Sequence, residues 1–365
     1  MVGMLRVLLA RWTVLVPLLA VAALAATWGR SLPGVAVTVV VVALVGAVLS
    51  AVHHAEVVAQ RVGEPFGSLV LAVAVTVIEV ALILTLMTQG GDKTATLARD
   101  TVFAAAMITC NGIFGLCLLV GALRRRVAVF NAEGTGAALA TVATLATLSL
   151  VLPTFTTSKP GPEFSPAQLA FAAVASLALY GLFVMVQTVR HPDDFLPVEA
   201  DGVVTGDEHA EAPSGRAALA ALALLLVALI CVVGLAKVVS PAVESAVQSA
   251  GLPQSAVGVV IALLVLLPET IAAVRAARRD QVQIGLNLAL GSAMASIGLT
   301  IPAIAVASIW LDGPLVLGLG ATQMVLLALT VVVGGLTIVP GRATLLQGGV
   351  HLAVFAAFVG LAASP

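Results

Sequence analysis

Charged side chains make up only 10% of the 365 residues, while 61% are hydrophobic; a soluble domain carries roughly 25% charge. So little polar material excludes a soluble globular fold, because a water-facing surface grows with chain size and has to be covered by polar groups. The formal net charge is −1, so there is no basic excess of the kind that nucleic acid attracts. Cysteine is equally sparse. Cys110, Cys117 and Cys231 show no C-x-x-C spacing and no neighbouring histidine, and they read as buried core thiols. No P-loop, H-E-x-x-H or Ser/His/Asp arrangement occurs, which leaves ATP-driven pumping and hydrolytic chemistry without support.

What the chain has in abundance is long apolar runs. They fall near residues 7–28, 33–52, 67–89, 101–123, 135–157, 167–189, 217–239, 255–275, 284–309, 313–338 and 344–363. Each is about the 20 residues a helix needs to cross hydrocarbon. In lipid every backbone amide needs an internal partner, so these segments are expected to be helices, and the lack of alternating patterns excludes a barrel. The basic start (Arg6, Arg11) and apolar run of the first 28 residues are shared with signal peptides, but the run is long and the remainder of the chain is polytopic, so it reads as a retained helix. The expected fold class is therefore an all-α polytopic membrane protein of 11 transmembrane helices.

Dealing the loops alternately to two sides puts Arg6, Arg61, Arg124, Arg125, Arg126, Arg190, Arg216, Arg275, Arg278, Arg279 and Arg342 on one side. Only Arg30, Lys93, Arg99, Lys159 and Lys237 fall on the other. The positive-inside rule then makes the N-terminus cytoplasmic and the C-terminus external. The arginine groups at 124–126 and 275–279 read as topology anchors, with anionic lipid contact the alternative.

Residues 191–215 form the one long polar stretch, rich in Asp and Glu and free of Lys and Arg until Arg216. The expected organisation is a peripheral helix (1–32), a first five-helix repeat (33–190), an acidic cytoplasmic linker (191–215) and a second five-helix repeat (216–365). Five is odd, so two such units in series lie upside down relative to each other, as in many secondary transporters. A self-alignment shifted by 190 residues superposes Val70, Ala72, Val75 and Glu79 on Val260, Ala262, Val265 and Glu269.

That glutamate pair is the informative match. Of 18 acidic residues, only Glu79 and Glu269 lie deep within expected spans, where a charge costs about 2.5–3.5 kcal/mol even on the mildest scale. A competing reading has each glutamate protonated and merely bridging helices. Against it, both have polar or backbone-breaking company. Thr76 shares the helix face of Glu79, and Pro268, just before Glu269, removes a backbone donor from the carbonyl of Leu264. The next helix of each repeat adds oxygen: Asn111 in the first, Ser292 and Ser296 one turn apart in the second. Such residues often only bridge helices, but with two carboxylates they make an all-oxygen set suited to a hard cation such as Ca²⁺. No intramembrane His or Cys joins them, which disfavours zinc and copper.

The segments HHAEVVAQRVGEPFGSLVLAVAVTVIEVALILTL (53–86), GLPQSAVGVVIALLVLLPETIAAVRAA (251–277) and LNLALGSAMASIGLTIP (286–302) resemble the bacterial calcium/proton antiporters of the cation/calcium exchanger superfamily. The resemblance spans both repeats. It implies a peripheral helix plus two inverted five-helix repeats, Ca²⁺ efflux driven by H⁺, no cofactor, and an ion held between the acidic residues that match Glu79 and Glu269. In the broader superfamily a Gly-Asn pair opens the motif ending at the glutamate; here Val75 and Thr76, then Val265 and Leu266, stand in its place. Members of the branch resembled are also associated with Na⁺ or K⁺ exchange, so a Na⁺ or K⁺/H⁺ antiporter using the same site is the alternative.

Three further features have plain readings beside functional ones. His53 and His54 are a candidate proton relay or an interfacial helix end. His351 reads as a packed, hydrogen-bonded histidine. The acidic linker lacks the spacing of a calcium loop and reads as a solvated tether. Expected partners are membrane lipid and the transported cations, with no nucleic acid; composition does not speak to oligomeric state.

Overall fold

The computed structural model describes residues 12–30, 32–63, 66–90, 95–198, 213–253, 255–310 and 313–364. The start of the first apolar stretch, Arg6, Lys93 and most of the acidic linker lie outside the described residues. A helical segment occurs at each of the apolar stretches. In chain order these are α1 (Trp12–Thr27), α2 (Gly34–Val62), α3 (Phe66–Gly90), α4 (Leu97–Met107) and α5 (Phe114–Arg125). There follow α6 (Ala132–Ala146), α7 (Pro166–Met185), α8 (Gly215–Ser249), α9 (Ser255–Val265), α10 (Leu267–Arg278), α11 (Val282–Ala307), α12 (Ala321–Ile338) and α13 (Leu345–Ala363). A π-helical turn, Ile108–Ile113, joins α4 to α5 in one 29-residue run. Among the described residues, eight helices are long and apolar enough to cross a membrane, and the α9–α10 pair, bent by 54°, is a ninth candidate. Trp12–Thr27 and Val73–Thr88 are shorter apolar helices.

The chain forms two compact units. One comprises Met1–Gln89 and His209–Gly251, the other Gly90–Glu208 and Leu252–Pro365. Each takes helices from both sides of the acidic linker. In the first unit α2 packs along α8, and α1 packs on both. Gly234 of α8 makes room for Leu24, because a Cβ there would come within 2.7 Å of the Leu24 side chain.

The second unit is organised around the nearly fully buried run Leu97–Arg125. Helix α11 packs against it and also against α6, α7 and α10. On another side α13 lies against α5, where Gly115 and Gly348 face each other's backbones closely. Helix starts carry the side chains that supply missing acceptors: Asn131 takes the amides of Glu133 and Gly134, and capping boxes open α7 at Ser165 and α13 at Thr344. A two-residue antiparallel ribbon pairs Ala128 with Ala343 and Val129 with Arg342.

One expectation is corrected. The stretch 313–338 is helical only from Ala321; the residues before it are extended. Pro314 and the glycines at 313, 318 and 320 oppose helix formation, and the backbone finds partners in neighbouring elements instead. The amides of Val316, Gly318 and Leu319 donate to the carbonyls of Ala95 (3.1 Å), Pro162 (2.9 Å) and Leu150 (2.8 Å). Non-helical backbone in an apolar protein is tolerated where protein satisfies it, and Leu317 and Leu319 are each 1% exposed.

Candidate cation site

Glu79 sits in the middle of α3, which runs unbroken through it. Its side chain is buried at 4% exposure, and Thr76, one turn earlier, is buried as well. Glu269 is in a different local setting. Pro268 has no N–H to give the carbonyl of Leu264, so the helix stops and restarts. The last α9 bond runs from Leu266 N to Ala262 O (2.9 Å), and the first of α10 from Thr270 N to Leu266 O (2.9 Å). The Thr270 hydroxyl also donates to Leu266 O (2.7 Å). Glu269 thereby lies in the first turn of a new helix, where backbone N–H groups lack intrahelical acceptors and the helix dipole favours negative charge. Glu79 is presented from a continuous helix, Glu269 from a helix start.

Helix α11 lies beside α10. A Cβ at Gly285 would be 2.9 Å from the carbonyl of Ala273, so glycine lets the two backbones approach. Ser292 and Ser296 stand one turn apart on α11, the first half-buried and the second buried. The second unit therefore holds Glu269, Ser292 and Ser296 on adjacent helices. Glu79 and Thr76 belong to the first unit. The 190-residue shift that matches the glutamates places Val102 and Ala106, both buried and apolar, opposite Ser292 and Ser296.

Asn111 has other engagements. Its Nδ2 donates to Thr330 Oγ1 (2.9 Å), and its Oδ1 faces His351 Nδ1 (3.2 Å). His351 is buried, its Nε2 lies 3.3 Å from Thr337 Oγ1, and its ring packs on Phe114. The histidine is packed and hydrogen-bonded, as the sequence suggests, but its partner is a residue assigned to the ion.

The histidine pair of α2 also has local work. Pro17 leaves the Thr13 carbonyl of α1 without its helical donor. Ser50 Oγ (2.9 Å) and His54 Nε2 (2.9 Å) donate to that carbonyl. His53 is half-buried between the rings of Trp12 (5.8 Å) and His54 (5.5 Å).

A second buried acid, Asp100, escapes sequence reasoning because it looks like an ordinary helix-start residue. It is 4% exposed, but it is neutralised: Arg99 pairs with Oδ1 at 2.8 Å and Thr96 donates to Oδ2 at 2.8 Å. Gln323 adds a contact at 3.3 Å, and Arg99 also donates to Gly318 O (3.2 Å). Asp100 therefore ties α4 to the extended segment and α12. In the arginine group at 124–126, Arg125 (3.3 Å) and Arg124 (3.4 Å) pair with Asp280 in the α10–α11 loop. The Arg125 hydrogen bond, ahead of its charge and of Arg124, holds that carboxyl below the usual carboxylate range.

A family profile described as sodium/calcium exchanger protein matches residues 32–189 and 220–363, on both sides of the linker. The chain belongs to the sodium/calcium exchanger family. It is a multi-spanning membrane antiporter and not an enzyme, and exchange in this family uses no cofactor. A Sinorhizobium fredii protein, y4hA, whose name assigns it only ion transport, is 47% identical over 357 residues, covering 97% of this chain and 96% of its own. The sodium-potassium/proton antiporter ChaA of Escherichia coli is 35% identical over 337 residues, 91% of each chain. The crystal structure of the H⁺/Ca²⁺ exchanger CAX superposes with a TM-score of 0.70 at 16% identity, over 94% of this chain and 85% of that one. That likeness extends to the fold alone.

Proposed function

We propose that this exchanger is a plasma-membrane antiporter that exports Ca²⁺ in exchange for H⁺, with Glu79 and Glu269 serving one ion site near the bilayer midplane. Thr76, Ser292 and Ser296 supply further oxygen. In this reading eleven spans, N-terminus cytoplasmic, comprise a peripheral helix and two inverted repeats whose rocking exposes the site to each side in turn. The observation that carries the proposal is the placement of Glu269 at a proline-made helix break inside an apolar span, together with its sequence mate Glu79, buried in α3. An acid in such a position is retained for ion handling.

Exchange follows from charge balance. Burial and a second carboxyl both favour the protonated form of each acid. A divalent cation favours both ionised carboxylates, so bound Ca²⁺ and bound protons exclude one another, and the protons leave the pair as a unit. A monovalent cation needs one ionised carboxylate, so Na⁺ or K⁺ displaces a single proton. Both cycles keep the site neutral. The second reading, Na⁺ or K⁺/H⁺ exchange by the same glutamates, is favoured by the 35% identity to a protein named as a sodium-potassium/proton antiporter.

Everted membrane vesicles with an imposed pH gradient separate the two. Dissipation by Ca²⁺ and not by Na⁺ or K⁺ supports the leading reading. Dissipation by Na⁺ or K⁺ alone replaces it with the second, and no response to any of the three sinks both.

A further inference from the structure

A buried chain of hydrogen bonds runs from Thr337 through His351, Asn111 and Thr330 to Leu326, and its middle member, Asn111, sits on the helix turn that packs against the serine-bearing α11. Its polarity can be read from one end. The Thr330 hydroxyl donates to Leu326 O (2.7 Å), so toward Asn111 it accepts, and the amide nitrogen Nδ2 faces it. The amide oxygen then faces His351, which puts the ring hydrogen on Nδ1 and leaves Nε2 to accept from Thr337. Met107 Sδ lies alongside, 3.6 Å from Thr330 Oγ1 and 3.9 Å from Asn111 Nδ2, and Asn111, Thr330, Thr337 and His351 are all at least nine-tenths buried.

Packing on both sides of Asn111 gives the chain its mechanical meaning. Asn111 lies in the π-helical turn Ile108–Ile113, a rare geometry that needs support from its surroundings. From one side α13 presses on it. A Cβ at Gly112 would meet the Phe355 ring at 3.5 Å, and one at Gly115 would lie 2.9 Å from the Cβ of His351. On another side the turn packs against α11, which carries Ser292 and Ser296 and itself packs along α10, the helix that bears Glu269.

We propose that His351 is a positioning residue for the cation site: by fixing the Asn111 amide it seats the π-helical turn against α11, and Asn111 acts through that turn and not as an ion ligand. The 190-residue register agrees, since it pairs Ser292 and Ser296 with Val102 and Ala106 and leaves Asn111 opposite Ile301. This inference rests on the reading of Glu269, Ser292 and Ser296 as the ion site.

The test measures H⁺-driven exchange by the full chain in proteoliposomes, with Ca²⁺ as the probe, and separates half-saturating concentration from maximal rate. His351→Leu and Asn111→Ala should each raise the half-saturating concentration about fivefold, a size typical of changes that act through packed networks. Because the two residues work as a unit, the double variant should also show about fivefold and not about 25-fold. His351→Gln, which keeps a donor, should recover most of the loss. An effect of Asn111→Ala without one of His351→Leu, or a multiplicative double variant, overturns the proposal. If His351→Leu does not fold, Thr337→Val, at the outer end, should raise the value about twofold, and an unchanged value is equally fatal. Glu269→Gln in the same assay keeps the two levels apart. Persisting flux there defeats the site reading itself, whereas lost flux with unchanged His351→Leu kinetics defeats only the positioning role.

Discussion

Removing both donors from the Thr13 carbonyl should cost more than the sum of removing each, and restoring a backbone N–H at position 17 should cancel the excess. Pro17 leaves that carbonyl without an intrahelical partner, and Ser50 and His54 each donate to it at 2.9 Å. Ser50→Ala or His54→Phe alone leaves one donor in place and should lower stability by about 1 kcal/mol, the usual net value of such a bond. Together they strand the carbonyl, whose unsatisfied burial adds about 1 kcal/mol or more, for a total near 3 kcal/mol. Pro17→Ala returns the helical N–H, so in that background the excess disappears and the same pair should cost about 2 kcal/mol, the sum of the two single losses. Reversible unfolding in mixed detergent micelles gives the four free energies. An equal loss with and without Pro17→Ala refutes the reasoning. The triple variant also asks what His54 is for. Retained coupled flux assigns it to helix docking, and lost flux at restored stability assigns it to proton transfer.

Other consequences are smaller. Ser296→Ala should raise the half-saturating Ca²⁺ concentration about three- to tenfold, up to about 1.4 kcal/mol, with Glu-dependent coupling intact; an unchanged value removes Ser296 from the ion's surroundings. The Asp280 carboxyl is held below its unfolded value by Arg125 and Arg124, so its stabilising effect is present above the ordinary carboxylate range and vanishes as pH falls through the depressed folded value. Asp280→Asn should therefore lower stability slightly near neutral pH, by under about 1 kcal/mol for so exposed a pair, and not at strongly acid pH. A loss that grows on acidification contradicts that sign.

Helix positions were legible in the chain because hydrocarbon demands long apolar runs and nothing else explains them. The break at Pro268 was legible too, since a missing N–H has a fixed consequence one turn back. The extended segment before Ala321 was not. Leu315, Val316, Leu317 and Leu319 are as apolar as any helix, and only the distant carbonyls of Ala95, Leu150 and Pro162 show why the backbone stays open there. Asn111 and His351 are separated by 240 positions, so a residue suited to holding an ion and one suited to packing gave no sign of bonding each other. In sequence Asp100 cannot be told from an ordinary helix-start acid, because its burial and its Gln323 contact depend on packing between distant parts of the chain.

Whether Glu79 and Glu269 act on one ion decides the proposed exchange cycle. Purified protein in liposomes, with internal pH and Ca²⁺ followed together, measures this directly. Both protons of the pair should move against each Ca²⁺, and Glu79→Gln and Glu269→Gln should each abolish coupled flux. Full exchange by either single variant would contradict a shared site.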